Sequence, residues 1–188
     1  IKNLVIKAAT APYNLLAGVF GGKEEDYKEL RFEYLQSSLS DDQLRILGNL
    51  EKVLKSKSDL SIELVQANNF EDELEQLAVF STKKRYSGFS DTDSLSIEQH
   101  EKVAAFSVKD SLFGIWLDSA LTSKSAITSV QDRCISYIGM SKLDASVREL
   151  MAGRNKFLTD YFISKGILPE RVRVTNLPED KQPERKYL

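Results

Sequence analysis

The sequence predicts an α+β domain: a mixed sheet in βαβαβ order, packed against helices, with a large helical insertion at about residues 70–140. Three observations lead there. Leu30, Phe32 and Tyr34 alternate with Arg31 and Glu33, Leu60, Ile62 and Leu64 with Ser61 and Glu63, and Val172 and Val174 with Arg171 and Arg173. Such a period of two marks strands with one buried face. Leucines at helical spacing fill the stretch between the first two segments. From about residue 70 to 140 the apolar pattern is helical throughout.

Taken in order, Ile1–Lys7 alternates loosely and reads as a strand carried over from a preceding domain. Ala11–Phe20 is apolar almost throughout, with Pro12 suited to a helix start, and ends at the hinge Gly21-Gly22. Tyr13, Leu15, Leu16, Val19 and Phe20 put large apolar groups on more than one helical face. One small domain would not cover them all, so residues 1–22 read as a lead-in that docks on the rest of a parent protein. The domain proper is then 23–176. Its first strand, 30–34, leads through a serine-rich turn to Ser40-Asp-Asp-Gln43, which has capping-box spacing, with Asp41 and Asp42 favouring a helix N-terminus. Leu44, Leu47, Leu50 and Leu54, flanked by Ile46 and Val53, make the core stripe of that helix. Ser56–Asp59 breaks it, and the second strand runs out at Gln66-Ala-Asn68-Asn69.

In the insertion, Leu74, Leu77, Ala78 and Phe80 mark one helix, and Ser87–Ser94 is a loop by composition. Ile97–Leu121 reads as a single long amphipathic helix, and Ile127, Val130, Cys134 and Ile138 as another that ends at Gly139. Ser141–Asp144 leads into the final helix, 142–165, on which Leu150, Arg154, Leu158, Tyr161 and Phe162 fall near one face. Gly166 follows where a left-handed cap costs glycine little, and Pro169 prevents the helix resuming. The tail, 177–188, has two prolines and no periodicity, and reads as extended.

At 188 residues, 41% apolar and 29% charged, the chain can bury a real core. A net charge of −2 argues against non-specific nucleic-acid binding, which needs a basic field. The single cysteine, Cys134, rules out an intrachain disulfide and a multi-cysteine zinc site, and reads as a small core residue. The single histidine, His100, rules out histidine-pair metal sites and reads as a surface helix residue. The acidic groups Glu71, Asp72, Glu73, Glu75, Asp91 and Asp93 read as solvated faces rather than catalytic acids. Asp91-Thr-Asp93 is too short for a calcium loop, and Gly18–Lys23 lacks the spacing of a phosphate loop. Neither an enzymatic activity nor a cofactor or metal is expected. Beginning at Ile1, the sequence reads as a fragment or processed form, and no apolar run reaches the roughly 18 residues of a membrane span.

Arg154, Tyr161-Phe162, Gly166-Ile167 and Arg171-Val172 form a string that resembles the last helix and strand of OmpA-like periplasmic domains. With the preceding strand–helix–strand order, the resemblance covers about half the chain. It implies a βαβαβ core and a ligand site in which the helix arginine and an aspartate after the second strand clamp the charged ends of a diaminopimelate side chain. Arg154 stands at the arginine position. Where the aspartate belongs the chain has Asn68 and Asn69, which can hydrogen-bond but cannot neutralise an ammonium group. Arg154 is therefore either a ligand residue or a packing arginine.

Pro12–Gly22, the acidic run after it, the serine-rich turn, the leucine-rich helix and Leu60–Leu64 are similar to the C-terminal region of a large AsmA-related family of unknown function. That resemblance implies a periplasmic, non-catalytic end domain of a long envelope protein anchored in the inner membrane of Gram-negative bacteria. Its role would be structural or protein-interacting, in outer-membrane biogenesis, envelope maintenance or lipid transport between membranes. The implied partners are the remainder of the parent chain and other envelope proteins, with membrane contact only through the parent. The alternative is a peptidoglycan-binding OmpA-like module with an altered ligand site.

Overall fold

The computed structural model describes the backbone of residues 4–8, together with residues 30, 32–66, 70–121 and 129–177. The docking segment Tyr13, Leu15, Leu16, Val19 and Phe20, the pair Asn68 and Asn69, Ile127, and the tail from 178 onward all lie outside the described residues. The protein is α+β, with helices predominating, and divides into two compact units: residues 1–69 with 149–188, and residues 70–148.

The first unit holds a three-stranded mixed sheet. Strands β1 (Leu4–Ala8), β2 (Ile62–Gln66) and β3 (Val172–Asn176) lie in that order, with β1 antiparallel and β3 parallel to β2. Val5 pairs with Val65, and Leu64 with Val174. Two of the three expected strands share this sheet. The third, at 30–34, does not form among the described residues, because its backbone groups find local partners. Tyr34 and Leu35 make a turn with Leu35 at a φ of 61°, Gln36 N–H donates to the Glu33 carbonyl at 3.2 Å, and the Gln36 side chain accepts from Glu33 N–H at 2.9 Å. A backbone satisfied this way has no need of a neighbouring strand. Leu30 and Phe32 still enter the core, whereas Tyr34 is left exposed. The place beside β2 belongs to Leu4–Ala8, so this segment is a strand of this sheet.

Helix α1 (Asp41–Ser56) starts where the sequence places it. Ser40 caps it, accepting from Gln43 N–H, and the Gln43 side chain accepts in turn from Ser40 N–H at 2.7 Å. Its buried face is Gln43, Leu47, Leu50, Val53 and Leu54. Leu44, expected in the core stripe, is exposed, and Gln43 takes an inward position instead. Reciprocal amide hydrogen bonds with Gln36, at 2.7 and 3.3 Å, make that burial tolerable. Leu30, Phe32, Leu47, Leu50, Val53, Leu54, Ile62, Leu64, Leu158, Phe162, Ile167 and Val172 form one continuous core.

The second unit consists of α2 (Phe70–Tyr86), α3 (Ile97–Ala105), α4 (Ser111–Ala120), α5 (Val130–Ile138) and residues 140–148 of α6 (Met140–Ser164). The single helix expected over 97–121 is two. Asp110 accepts from Leu112 N–H at 2.8 Å and Phe113 N–H at 3.1 Å, supplying an N-cap that starts α4 afresh. Gly139 ends α5 at a φ of 98°, and α6 begins at once, so Ser141–Asp144 lies inside the helix rather than leading into it.

At its other end α6 stops at Gly166, whose φ of 80° glycine adopts without strain, and Ile167 N–H closes back onto the Phe162 carbonyl at 3.1 Å. A short 3-10 turn over Pro169–Arg171 then delivers the chain to β3. Arg171 reaches back to the last turn of α1 and the loop after it, donating to the carbonyls of Leu54 (2.8 Å), Lys57 (2.5 Å) and Leu60 (2.8 and 2.9 Å). Arg171→Ala is expected to lower stability by about 2 kcal/mol, since charged hydrogen bonds are worth roughly 1.5–3 each and these are partly wet. Arg171→Lys should recover only part, because an ammonium cannot span the same fork. Urea unfolding of the three proteins checks this order.

Candidate functional site

Arg154 sits on α6 with 3% of its surface exposed, in the first unit. Its Nε donates to the Gln36 carbonyl at 2.8 Å and its Nη2 to the Glu33 carbonyl at 3.2 Å. The guanidinium lies over the Phe32 ring, 5.2 Å from its centre, in cation–π geometry. The dimple bounded by Phe32, Ser37, Ser38, Leu39, Arg154 and Phe157 has no space for even a water molecule. Arg154 thus holds the turn at 33–36 that replaces the expected strand. The next residue, Asn155, accepts from Gln66 at the end of β2 (3.0 Å) and donates to Asn176 on β3 (2.8 Å), tying α6 to the sheet through amides.

A larger hollow lies in the second unit. It is a cleft of about 270 Å³, lined by Leu77, Phe80, Ile138 and Leu143 with Ser81, Ser146, Lys84, Lys142 and Asp91. Lys84, on the last turn of α2, is 9% exposed and donates to the backbone carbonyls of Asp91 (3.0 Å) and Asp93 (2.7 Å), so it fastens the 87–94 loop. Asp91 takes two hydrogen bonds from Arg85, at 2.9 and 2.5 Å, and a further one from Lys142 on α6. Asp91 is exposed, as expected of a solvated loop acid, and is also the shared anion of a two-cation cluster.

Arg85 above all, then Lys142, holds the Asp91 carboxyl well below the usual carboxylate range. Because the folded-state pKa is depressed, the cluster's stabilisation is present at pH values above the ordinary aspartate range, about 4, and disappears as pH falls below it. With the side chains partly solvated, the effect at neutral pH should be roughly 1 kcal/mol. Asp91→Asn is expected to lose that amount at pH 7 and to lose progressively less as pH drops from about 4. Equilibrium unfolding of both proteins at several pH values between 2 and 7 reads it, and a difference that stays constant with pH would refute it.

Cys134 is buried, and burial pushes its thiol up, away from the reactive thiolate. His100 is exposed on α3 with its ring 4.7 Å from that of Phe80. Glu73, expected in a solvated face, is buried, while Glu71 is exposed. Among the described residues, no three His, Cys, Asp or Glu side chains group as metal ligands would. No protein family, curated protein or solved structure matches the chain.

Proposed function

We propose that the chain is a non-catalytic end domain of a large AsmA-like envelope protein, acting in the periplasm as a structural or protein-interaction module in envelope maintenance or lipid transport between membranes. The observation that carries the non-catalytic, non-clamping part is Arg154. A guanidinium that holds the Glu33 and Gln36 carbonyls and lies over the Phe32 ring serves the fold, and is poorly placed to meet a zwitterionic ligand. The parallel pairing of β2 with β3, together with the Gly166 cap and the Arg171 turn, supports the likeness of this end of the chain to OmpA-like domains. With no strand among the described residues of 30–34, that likeness narrows to the C-terminal helix, turn and strand.

Two measurements test the reading. Alkaline phosphatase joined to the full-length parent after residue 188 should be active, as it is only outside the cytoplasm, and an inactive fusion would remove the periplasmic assignment. Purified diaminopimelate-containing cell wall should retain little of the protein. Tight retention that free diaminopimelate competes away would favour the peptidoglycan-binding alternative.

A further inference from the structure

We propose that the cleft of the second unit binds a small amphipathic anion, a carboxylate carried on a short apolar body. The lining combines hydrocarbon, from Leu77, Phe80, Ile138 and Leu143, with the cations Lys84 and Lys142, two serine hydroxyls and the carboxylate of Asp91. Arg85 already covers Asp91 with two hydrogen bonds, so the added Lys142 leaves positive charge in excess at this spot. Asp93 turns its carboxylate to Ser90 N–H at 2.6 Å, and even counting it, three cations (Arg85, Lys84 and Lys142) face two carboxylates. Lys84 uses two of its three N–H donors on carbonyls, which leaves one for a ligand. Ser81 and Ser146 line the cleft as well, each offering a hydroxyl.

Size sets the body. The cleft's 270 Å³ corresponds to about nine waters at roughly 30 Å³ each, near the small end for ligand pockets, and suits a molecule of about ten heavy atoms. The polarity of the rim sets the head. Asp91 is already held by Arg85 and Lys142, so a cation would meet the two lysines rather than a free carboxylate, whereas a carboxylate can accept from the lysines and a serine.

Octanoate is the probe, titrated into the whole chain at neutral pH and followed by calorimetry and by amide chemical shifts. Saturable binding is expected, with shifts centred on Ser81, Lys84, Lys142 and Ser146. Octylammonium and acetate, which lack the head and the body respectively, should each bind at least tenfold more weakly. Lys142→Met should weaken octanoate at least fivefold, and Ser146→Leu, which fills the cleft, should abolish binding. Ser81→Leu repeats that test from α2 if the Ser146 variant does not fold, as judged by Trp116 fluorescence. Equal binding of octanoate and octylammonium, or octanoate affinity unchanged by the cleft-filling variants, would overturn the proposal.

Discussion

Phe113→Ala is expected to lower stability by about 3–5 kcal/mol, the range for deleting a large ring from a packed core. Phe113 is fully buried on α4, and its ring lies 5.3 Å from Tyr86, 5.7 Å from Phe106 and 6.1 Å from Trp116. The Tyr86 contact is edge-to-face, the favourable arrangement for ring quadrupoles. Removing Phe113 therefore loses its own burial and leaves three aromatic neighbours around a void that helix backbones cannot easily close. Phe113→Leu keeps much of the volume and should cost roughly 1–2 kcal/mol. Trp116 is the chain's single tryptophan and touches the same cluster, so its fluorescence during urea unfolding reports this unit directly. A loss below about 1 kcal/mol for the alanine variant would mean that the cluster is not packed as the ring geometry indicates.

What the sequence made legible was what depends on near neighbours. The Ser40 capping box, the stops at Gly139 and Gly166 and the burial of Cys134 all arise within a few residues of chain, and all are found where expected. Two errors arose because local chemistry has more than one outlet. The alternation at 30–34 is a sound strand signal, yet the Gln36 side chain and a helix arginine 118 residues away satisfy that backbone as a turn. The amphipathic run 97–121 keeps its period across Ser107–Asp110, but Asp110 can cap a new helix as readily as sit inside an old one. The cleft was out of reach for a different reason. Asp91 and Lys142 are 51 positions apart, and nothing in either local pattern marks them as partners. The same holds for Arg171, whose alternation with Val172 announces a strand but not its grip on Leu54, Lys57 and Leu60.

Arg154→Met is the test of whether this arginine belongs to the fold or to a ligand. Methionine keeps most of the apolar stem and removes the charge and donors, so packing loss is kept small. The Gln36 carbonyl then loses its donor at 2.8 Å, the Glu33 carbonyl keeps only the Gln36 N–H, and the face of Phe32 loses its cation. Hydrogen bonds from a charged group are worth about 1.5–3 kcal/mol each and these two are part-buried, so a total loss of roughly 2–4 kcal/mol is expected. Arg154→Lys should fall between, since one ammonium can reach a carbonyl but cannot bridge both in a plane. Hydrogen exchange gives the sharper readout. Protection of the Gln36 amide, which closes the turn onto Glu33, should drop more than the global stability change requires, because the turn would open on its own. If Arg154→Met unfolds at the same urea concentration as the parent sequence and leaves Gln36 protected, the arginine is not structural. A ligand role at its exposed fringe would then have to be reconsidered.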